Sequence, residues 1–236
     1  MPLDIEHAAY IILDRPGTGN FLDEEMTAEI AHVCEHITED DEVYVVILTG
    51  GGDVFCRGGD PSTCAAAALA ALDRPVIAAV NGAASGAGLE LALAADIRIC
   101  SDTASFTLPQ VAEGILPSDG GTQRLPRIVG RGKALELLLT AETISAAEAL
   151  EIGLVSAVCP AAELEAEAAK LAESIAAKGP LALRYLKEAV IKGMDLTLEQ
   201  GLRLEADLYF LLHTTTDRTE GITAFREKRD PDYKGK

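Results

Sequence analysis

Residues 78–96, AAVNGAASGAGLELALAAD, read as a short buried strand that breaks at Asn81-Gly82 and then becomes an apolar helix. A strand that turns through glycine into a helix leaves unpaired backbone N–H groups above the start of that helix. The helix carries one acid, Glu90, and a glutamate among leucine and alanine is expected to have a raised pKa. The stretch therefore predicts a site that stabilises a developing oxyanion, with Glu90 beside it to move protons.

The bulk composition limits the classes of protein that need to be considered. The chain has 236 residues, of which 48% are hydrophobic, so it can form one large domain or one domain with a small appendage. Its formal net charge of −18 argues against nucleic acid and anionic membrane surfaces as partners. An anionic small ligand remains compatible with this charge, because a few basic side chains and a helix N-terminus can hold phosphate locally.

Cysteine usage and the N-terminal sequence indicate a cytoplasmic protein. The five cysteines are odd in number and scattered, which favours free thiols in a reducing compartment. No apolar run approaches the roughly 18 residues that span a bilayer, and MPLDIEHAAY lacks the features of a signal peptide. His32 and His36 have i,i+4 spacing but no third ligand at a sensible distance in sequence, so no metal site is predicted.

Hydrophobic periodicity predicts an alternating β/α core that is followed, beyond Gly130, by a mainly helical section. Strands are predicted at 8–13, 43–49, 76–80, 96–101, 105–108 and 154–158. Helices are predicted at 22–37, 64–72, 133–140, 146–153, 161–178, 180–192 and 196–212, with a further helix that starts near 119–125. The segment 109–117 reads as a loop or a broken helical turn.

Several motifs resemble the crotonase family, which is also called the enoyl-CoA hydratase/isomerase superfamily. They are PVIAAVNGAASGAGLELALAADIRI at 75–99, LPQVAEGILPSDGGTQRLPRIVG at 108–130 and ALELLLTAETISAAEALEIGLVSAV at 134–158. LTGGGDVFCRGGD at 48–60 is similar to the upstream loop of the family, and ITAFREKRDPDYKG at 222–235 to its C-terminal end. The resemblance covers nearly the whole chain, in the right order.

This resemblance implies an α/β fold, a spiral of ββα turns followed by a helical trimerisation section. Residues 1–180 would form the spiral core, and 181–236 the helical section that packs on the core, on neighbouring subunits or on both. It further implies acyl-CoA thioester substrates and a homotrimer or a dimer of trimers. Two backbone N–H groups, of Gly59 and Ala87, would form the oxyanion hole for the thioester enolate. Family members often have glycine where this chain has Ala87, whose N–H still serves if its φ is negative.

The chain departs from the family pattern at one catalytic position. Two-carboxylate hydratases of the family use a glutamate that matches Glu90 and a second acid in a Pro-Glu pair, where this chain has Pro109-Gln110. Gln110 can orient water or substrate, but it cannot shuttle a proton at neutral pH. Glu113 could take the place of the second acid, although it also reads as a solvent-facing residue. Asp119 could do the same, although the N-cap of a helix explains it well.

The reaction therefore stays open at this point. Hydration by Glu90 with Gln110 holding the water, and double-bond isomerisation by Glu90 alone, both fit an enoyl-CoA enzyme. Decarboxylation or hydrolysis of an acyl-CoA in the same oxyanion hole is an alternative, and so is a weakly active acyl-CoA-binding protein. None of these readings requires a metal or redox cofactor, since coenzyme A is part of the substrate.

Candidate contacts to coenzyme A follow from position and from the scarcity of basic residues. Arg15, Arg57 and Lys228 are the predicted partners of its phosphates. The segment 61–74 has only fourteen residues and is shorter than in many family members, where it helps to form the acyl pocket. The sequence therefore predicts a pocket that is more open or completed by other parts of an oligomer, and it leaves the acyl group undefined.

Overall fold

The computed structural model describes residues 3–236, in which two sheets are surrounded by helices. The larger sheet is parallel throughout, with the strand order β1-β2-β3-β5-β8. In the smaller sheet β4 pairs with β6 in parallel and β6 with β7 in antiparallel fashion. The strands are β1 Ala8–Leu13, β2 Val45–Gly50, β3 Val76–Val80, β4 Ala83–Ser85, β5 Ile97–Ser101, β6 Ser105–Thr107, β7 Ile144–Ser145 and β8 Ala157–Cys159.

The helices follow the strands in alternation and then take over the C-terminal part. They are α1 Glu24–Glu39, α2 Ala65–Ala70, α3 Ala87–Ala94, α4 Gly121–Val129, α5 Arg131–Thr140, α6 Ala146–Glu151, α7 Leu164–Ala176, α8 Pro180–Gly193, α9 Leu198–Leu212 and α10 Thr216–Glu227. Short 3-10 helices span Pro16–Thr18, Pro109–Glu113 and Ala161–Glu163.

Isolated bridges extend the smaller sheet and reveal a repeating unit. Cys56 bridges to Ala84 in β4, and Leu22 bridges to Gly59, both in parallel fashion. Each strand of the larger sheet up to β5 is thus followed by a short extended segment of the second layer and then by a helix. This arrangement confirms the expected spiral of ββα turns.

The two faces of the larger sheet are buried in separate apolar clusters. In β2, Val46 and Leu48 face the main core between the layers, while Val45 and Ile47 face a second cluster beneath α7. The alternation follows from the two-residue period of a strand. Because both faces are covered, β2 reads as a continuous apolar run, as expected for a parallel sheet.

A partly buried ion pair holds α8 against the core. Lys187 of α8 donates to the Asp96 carboxylate, with 2.7 Å between Nζ and Oδ2, and also to the Arg74 carbonyl at 2.8 Å. The division at 180/181 stays a prediction, and it falls in the first turn of α8. Within residues 3–236, no helix is long and apolar enough to cross a membrane.

Three elements were not predicted from the sequence, namely β4, β7 and α10. The strands β4 and β7 have three and two residues, so neither shows a periodicity. In α10 the buried residues are Asp217 and Ala224, and its exposed face includes Phe225, so no apolar stripe marks it as a helix. The predicted β1 and β3 have the bounds that the structure gives them.

Candidate active site

The loop that follows β2 is held against β4 by two backbone hydrogen bonds. Cys56 N donates to the Ala83 carbonyl at 3.0 Å, and Ser85 N donates to the Cys56 carbonyl at 2.9 Å. At Gly88 a Cβ would overlap the Cys56 carbonyl and side chain, so the start of α3 lies directly on this loop. The loop and the helix therefore occupy fixed positions relative to each other.

Leu22 holds the other side of the same loop and sets the direction of Gly59. Leu22 N donates to the Gly58 carbonyl at 3.0 Å, and Asp60 N donates to the Leu22 carbonyl at 2.9 Å. In a parallel bridge of this kind the two bonds use the neighbours of Gly59, so its own N–H points away from Leu22. The Gly59 N–H has no acceptor within residues 3–236.

Gly59 and Ala87, the two predicted oxyanion donors, lie side by side. A Cβ at Gly59 would come within 2.9 Å of the Ala87 Cβ and 2.9 Å of the Leu22 Cβ, so only glycine fits there. Ala87 is the first residue of α3 and has a negative φ, as its predicted role requires. Gly86 before it has φ 53° and ψ −123°, a positive-φ conformation that glycine adopts without strain.

Glu90 is buried, with 1% of its surface exposed, and its carboxylate is held by three donors. Oε1 accepts from the backbone N–H groups of Asp119 and Gly121, each at 2.8 Å, and Oε2 accepts from Gln110 Nε2 at 3.1 Å. Burial raises the pKa of Glu90, and the negative charge of Asp119 adds to this, while the backbone donors oppose it. Glu90 is thus an oriented carboxylate with an increased affinity for a proton.

Gln110 lies in the 3-10 helix Pro109–Glu113, and 9% of its surface is exposed. Its Nε2 faces Glu90, whereas its Oε1 is buried without a hydrogen-bond partner in the part of the chain that the structure describes. Buried acceptors are almost always satisfied by protein or by ordered water. Gln110 Oε1 is therefore an unsatisfied acceptor close to the Glu90 carboxylate.

Asp119 caps a helix, but a different one from the predicted helix. Its Oδ2 accepts from Ala66 N in the first turn of α2 at 2.6 Å, whereas Gly120 is the N-cap of α4. Burial raises the pKa of Asp119, and the bond from Ala66 and the charge of Arg124 lower it. Because its carboxylate serves α2, Asp119 contributes to the site through its backbone N–H.

A cavity of about 290 Å³ joins the predicted residues. Gly59, Ala87, Glu90, Gln110 and Arg57 all line it. Phe21 and Leu116 provide apolar surface there, and both are exposed. Glu113 also lines the cavity, and its side chain is exposed. It therefore faces solvent and also lies at the rim of the site. The roles of these residues stay predictions.

The three predicted coenzyme A contacts differ in their surroundings. Arg15 forms ion pairs with Asp23 and Glu25, both at 3.0 Å, and it lies outside the cavity lining. Lys228 is the C-cap of α10 and is also outside that lining. Arg57 lines the cavity and has no ion pair within residues 3–236. Of the three, Arg57 has the geometry that best suits an anionic ligand.

The backbone donors of Asp119 and Gly121 were missed by sequence reasoning. They are separated from Glu90 by 29 and 31 positions, so no local spacing connects them. The Gly120-Gly121 pair before a helix start is the signal that could have indicated them, because helix N-termini offer free N–H groups. In the described chain, no group of three or more His, Cys, Asp or Glu side chains is arranged to hold a metal ion.

Known proteins are similar to this chain in sequence and fold over nearly their full length. The family model for enoyl-CoA hydratase/isomerase matches residues 5–236. (E)-Benzylidenesuccinyl-CoA hydratase of Thauera aromatica is 40% identical, with 100% of each chain covered. Crotonyl-CoA hydratase of Syntrophomonas wolfei is 40% identical over 97% of this chain and 95% of its own. The crystal structure of an enoyl-CoA hydratase from Bacillus anthracis superposes with a TM-score of 0.94 at 41% identity, covering 99% of this chain and 98% of that one.

Proposed function

The chain belongs to the enoyl-CoA hydratase/isomerase family and is an acyl-CoA enzyme of that type, and we propose that it hydrates 2-enoyl-CoA thioesters. Glu90 is the only proton-transfer carboxylate in this proposal. Gln110 holds the water, and the N–H groups of Gly59 and Ala87 bind the thioester oxygen.

The observation that carries the proposal is the unpartnered Gln110 Oε1 next to the Glu90 carboxylate. A water molecule supplies the missing donor, and the same water can give its second hydrogen to Glu90. Such a water has both hydrogens engaged and an oxygen lone pair free for attack. Two relatives with known acyl groups, the benzylidenesuccinyl-CoA and crotonyl-CoA enzymes, carry hydratase names, which supports hydration over isomerisation.

In the proposed reaction Glu90 accepts one proton from water and then donates one proton to the substrate. Glu90 removes a proton from the water as the water oxygen bonds to C3 of the substrate, and the C2–C3 π electrons move to form the enolate. The protonated Glu90 then delivers a proton to C2, which restores the thioester carbonyl and the Glu90 carboxylate. Because one carboxyl group serves both carbons, water adds to a single face of the double bond. The raised pKa of Glu90 suits a group that must accept and donate a proton.

The enolate oxygen takes its stabilisation from the backbone. Two preorganised N–H donors at Gly59 and Ala87 face the charge that develops on the thioester oxygen, and Ala87 adds the positive end of the α3 dipole. Removal of one such donor typically lowers kcat about 100- to 1000-fold. We propose that these donors and Glu90 complete the chemistry and that no cofactor besides the substrate's own coenzyme A takes part. Arg57 is the proposed partner of a coenzyme A phosphate, with weaker cases for Arg15 and Lys228.

The proposed assembly is a homotrimer or a dimer of trimers. Support comes from apolar side chains that α8, α9 and the turn between them leave exposed, namely Val190, Met194, Leu198, Leu202 and Phe210. Many exposed apolar side chains on two consecutive helices are typical of a protein interface, and closed symmetry is the common solution for identical subunits. A monomeric mass by light scattering at micromolar concentration would contradict this assembly. The five cysteines are free thiols in the structure, which supports the proposed cytoplasmic location.

Hydration of crotonyl-CoA tests the function directly. Wild type and Glu90→Gln are compared by the loss of enoyl absorbance, and by deuterium incorporation at C2 in D2O. Glu90→Gln keeps the shape of the side chain but removes the base, so kcat should fall at least about 100-fold, the usual contribution of acid–base catalysis. Glu151→Gln makes the same change on the exposed face of α6 and is the matched control.

The outcomes separate the alternatives. Turnover of a 3-enoyl-CoA to the 2-enoyl-CoA, without hydration of crotonyl-CoA, would replace hydration by isomerisation. Undiminished hydration in Glu90→Gln would remove Glu90 from its role. The absence of both activities and of C2 deuteration in the wild type would overturn the proposal.

A further inference from the structure

Asn20 occupies an unusual position between β1 and α1. It has 0% of its surface exposed and a φ of 55°, in the left-handed region. Asparagine tolerates this region better than most residues, yet such positions are uncommon and concentrate where the surrounding structure enforces them. The side chain is a carboxamide and does not enter the reaction proposed above.

The Asn20 carboxamide binds the loop that carries the proposed oxyanion donor. Nδ2 donates to the carbonyl groups of Gly51 at 3.0 Å, Val54 at 2.8 Å and Phe55 at 3.1 Å. Oδ1 accepts from Arg15 N at 2.9 Å. The two hydrogens of Asn20 Nδ2 are thus shared among three carbonyl groups in the first part of the loop between β2 and Gly59.

The backbone on both sides of Asn20 binds the second part of the same loop. Gly19 accepts from Arg57 N at 2.9 Å, and Leu22 forms the two bonds that set the direction of Gly59. The loop from Gly51 to Asp60 therefore runs along the segment 19–22 and is hydrogen-bonded to it. The Asn20 side chain binds the beginning of the loop, and the backbone of Gly19 and Leu22 binds its end.

We propose that Asn20 is a positioning residue that holds the Gly59 N–H in its catalytic direction. The inference rests on the proposed oxyanion hole of Gly59 and Ala87. The carboxamide is suited to this task because it offers donors to several carbonyl groups and an acceptor to Arg15 N at once. Without it, the buried carbonyl group of Phe55 loses its donor and that of Val54 keeps only the longer bond from Asn81 Nδ2 at 3.3 Å, so the loop has to shift to recover a partner.

Two variants separate the side chain from the backbone conformation. Asn20→Gly keeps the left-handed φ without strain and removes the carboxamide. Asn20→Asp keeps the shape and the acceptor for Arg15 N, but it replaces the donor by an oxygen facing three carbonyl groups. Asn81→Ala is the matched control, since Asn81 also binds this loop. It accepts from Gly50 N at 3.1 Å and donates to the Gly52 carbonyl at 3.0 Å and, through a longer bond of 3.3 Å, to the Val54 carbonyl.

The measurements distinguish a positioning role from a purely structural one. The first is kcat and KM for crotonyl-CoA. The second is the absorption maximum of bound 4-dimethylaminocinnamoyl-CoA, a dye whose band moves to the red when its carbonyl oxygen is polarised by hydrogen bonds. Thermal unfolding and the affinity for butyryl-CoA, a saturated ground-state ligand, report whether fold and binding are retained.

The expected result is a loss in kcat with a nearly unchanged KM. Asn20→Gly and Asn20→Asp should lower kcat roughly 10- to 100-fold, less than the outright removal of an oxyanion donor. Both should lose most of the red shift while binding butyryl-CoA as the wild type does. Asn81→Ala should lower the unfolding temperature but keep the red shift and kcat.

Three results would overturn the inference, and they differ from one another. A full red shift and full kcat in both Asn20 variants would show that Gly59 keeps its direction without the carboxamide, while leaving the proposed function intact. Equal losses of the red shift in Asn81→Ala, or loss of butyryl-CoA binding in both Asn20 variants, would make the role structural. A wild type that shows no red shift would contradict the oxyanion hole itself.

Discussion

Gln110 Nε2 donates a 3.1 Å hydrogen bond to Glu90 Oε2, while Gln110 Oε1 is buried and unpartnered. A carboxamide can turn by half a rotation and present its oxygen in place of its nitrogen. Gln110 can thus donate to Glu90 as a carboxylate and accept from Glu90 as a carboxylic acid. A second carboxylate in this place would instead repel the ionised form of Glu90. Gln110 can therefore form a hydrogen bond with Glu90 in both of the protonation states that occur in the proposed reaction.

Glu90→Gln should stabilise the protein at neutral pH. Burial raises the pKa of Glu90, so between its ordinary value and the raised value the folded state binds more protons than the unfolded state. The free energy of unfolding then falls as pH rises through this interval, and the loss is complete above the raised pKa. Glutamine carries no charge and avoids this loss, while the Gln110 carboxamide can turn to accept from its amide group.

Thermal unfolding at two pH values measures the effect. At pH 7.5 the variant should unfold at a temperature a few degrees higher, since about 1 kcal/mol corresponds to roughly 2–4 °C in a chain of this size. Below the ordinary pKa of glutamate the two proteins should unfold together. A variant that is less stable than wild type at pH 7.5 would contradict the raised pKa.

Gln110→Glu should move the acidic limb of the kcat/KM profile to higher pH. The new carboxylate would lie beside Glu90, and two like charges at this distance raise the pKa of the pair. Since Glu90 must be ionised to take a proton from water, the enzyme would reach full activity at a higher pH than the wild type. A higher kcat on the plateau would show that the missing second acid limits hydration.

The profile of kcat/KM against pH, measured with crotonyl-CoA, is the test for this variant. Gln123→Glu adds the same charge on α4, outside the cavity lining, and its limb should stay where the wild type has it. An unchanged acidic limb in Gln110→Glu would mean that the carboxylates at positions 90 and 110 do not repel each other enough to raise the pKa of the pair.

Gly59, Ala87 and Glu90 could be proposed as site residues because each belongs to a local motif, and the family resemblance supplied the oxyanion role predicted for Gly59 and Ala87. The glycine loop of 48–60 and the strand-to-helix turn of 78–96 contain their own signals, and β3 and α3 follow from two apolar stretches with glycines between them. What could not be predicted is how separate segments meet. The contact of Gly59 with Ala87 depends on bridges made by Leu22 and Cys56, which lie in different turns of the spiral.

Asp119 illustrates the same limit more sharply. Its position before a glycine pair and a helical stretch indicates an N-cap, and that chemistry is correct. The carboxylate accepts from Ala66 N, 53 positions away, because α2 and α4 both pack on the helix that carries Glu90. A sequence pattern specifies the kind of bond that a side chain favours, whereas tertiary packing decides which helix receives it.

Gly59→Ala should lower kcat strongly, whereas Ala87→Gly should not. A Cβ at residue 59 would come within 2.9 Å of both Ala87 and Leu22, so the backbone has to move and its N–H with it. We expect a loss of about 100-fold in kcat, comparable to the removal of one oxyanion donor. Ala87→Gly removes a methyl group and keeps the N–H. It should cost less than about 1 kcal/mol in the free energy of unfolding and leave kcat close to wild type.

Steady-state kinetics with crotonyl-CoA and thermal unfolding compare this pair of variants. If Gly59→Ala retained full kcat, the N–H of residue 59 would have no part in catalysis. If Ala87→Gly lost activity at unchanged stability, the Ala87 methyl group would have a role that the backbone donors do not explain.

Asp119→Asn and Glu113→Gln decide whether either residue replaces the missing second acid. The Asp119 carboxylate caps α2, and its charge raises the pKa of Glu90, so the neutral asparagine keeps an acceptor for Ala66 N and removes the charge. The acidic limb of kcat/KM should therefore move to lower pH, with kcat on the plateau retained. Glu113 lies at the exposed rim of the cavity, so Glu113→Gln should leave kcat close to wild type and change the free energy of unfolding by no more than about 0.5 kcal/mol, the usual range for surface substitutions. A loss of about 100-fold or more in kcat in either variant, at unchanged stability, would identify that residue as a second proton-transfer group. It would contradict the proposal that Glu90 is the only such group.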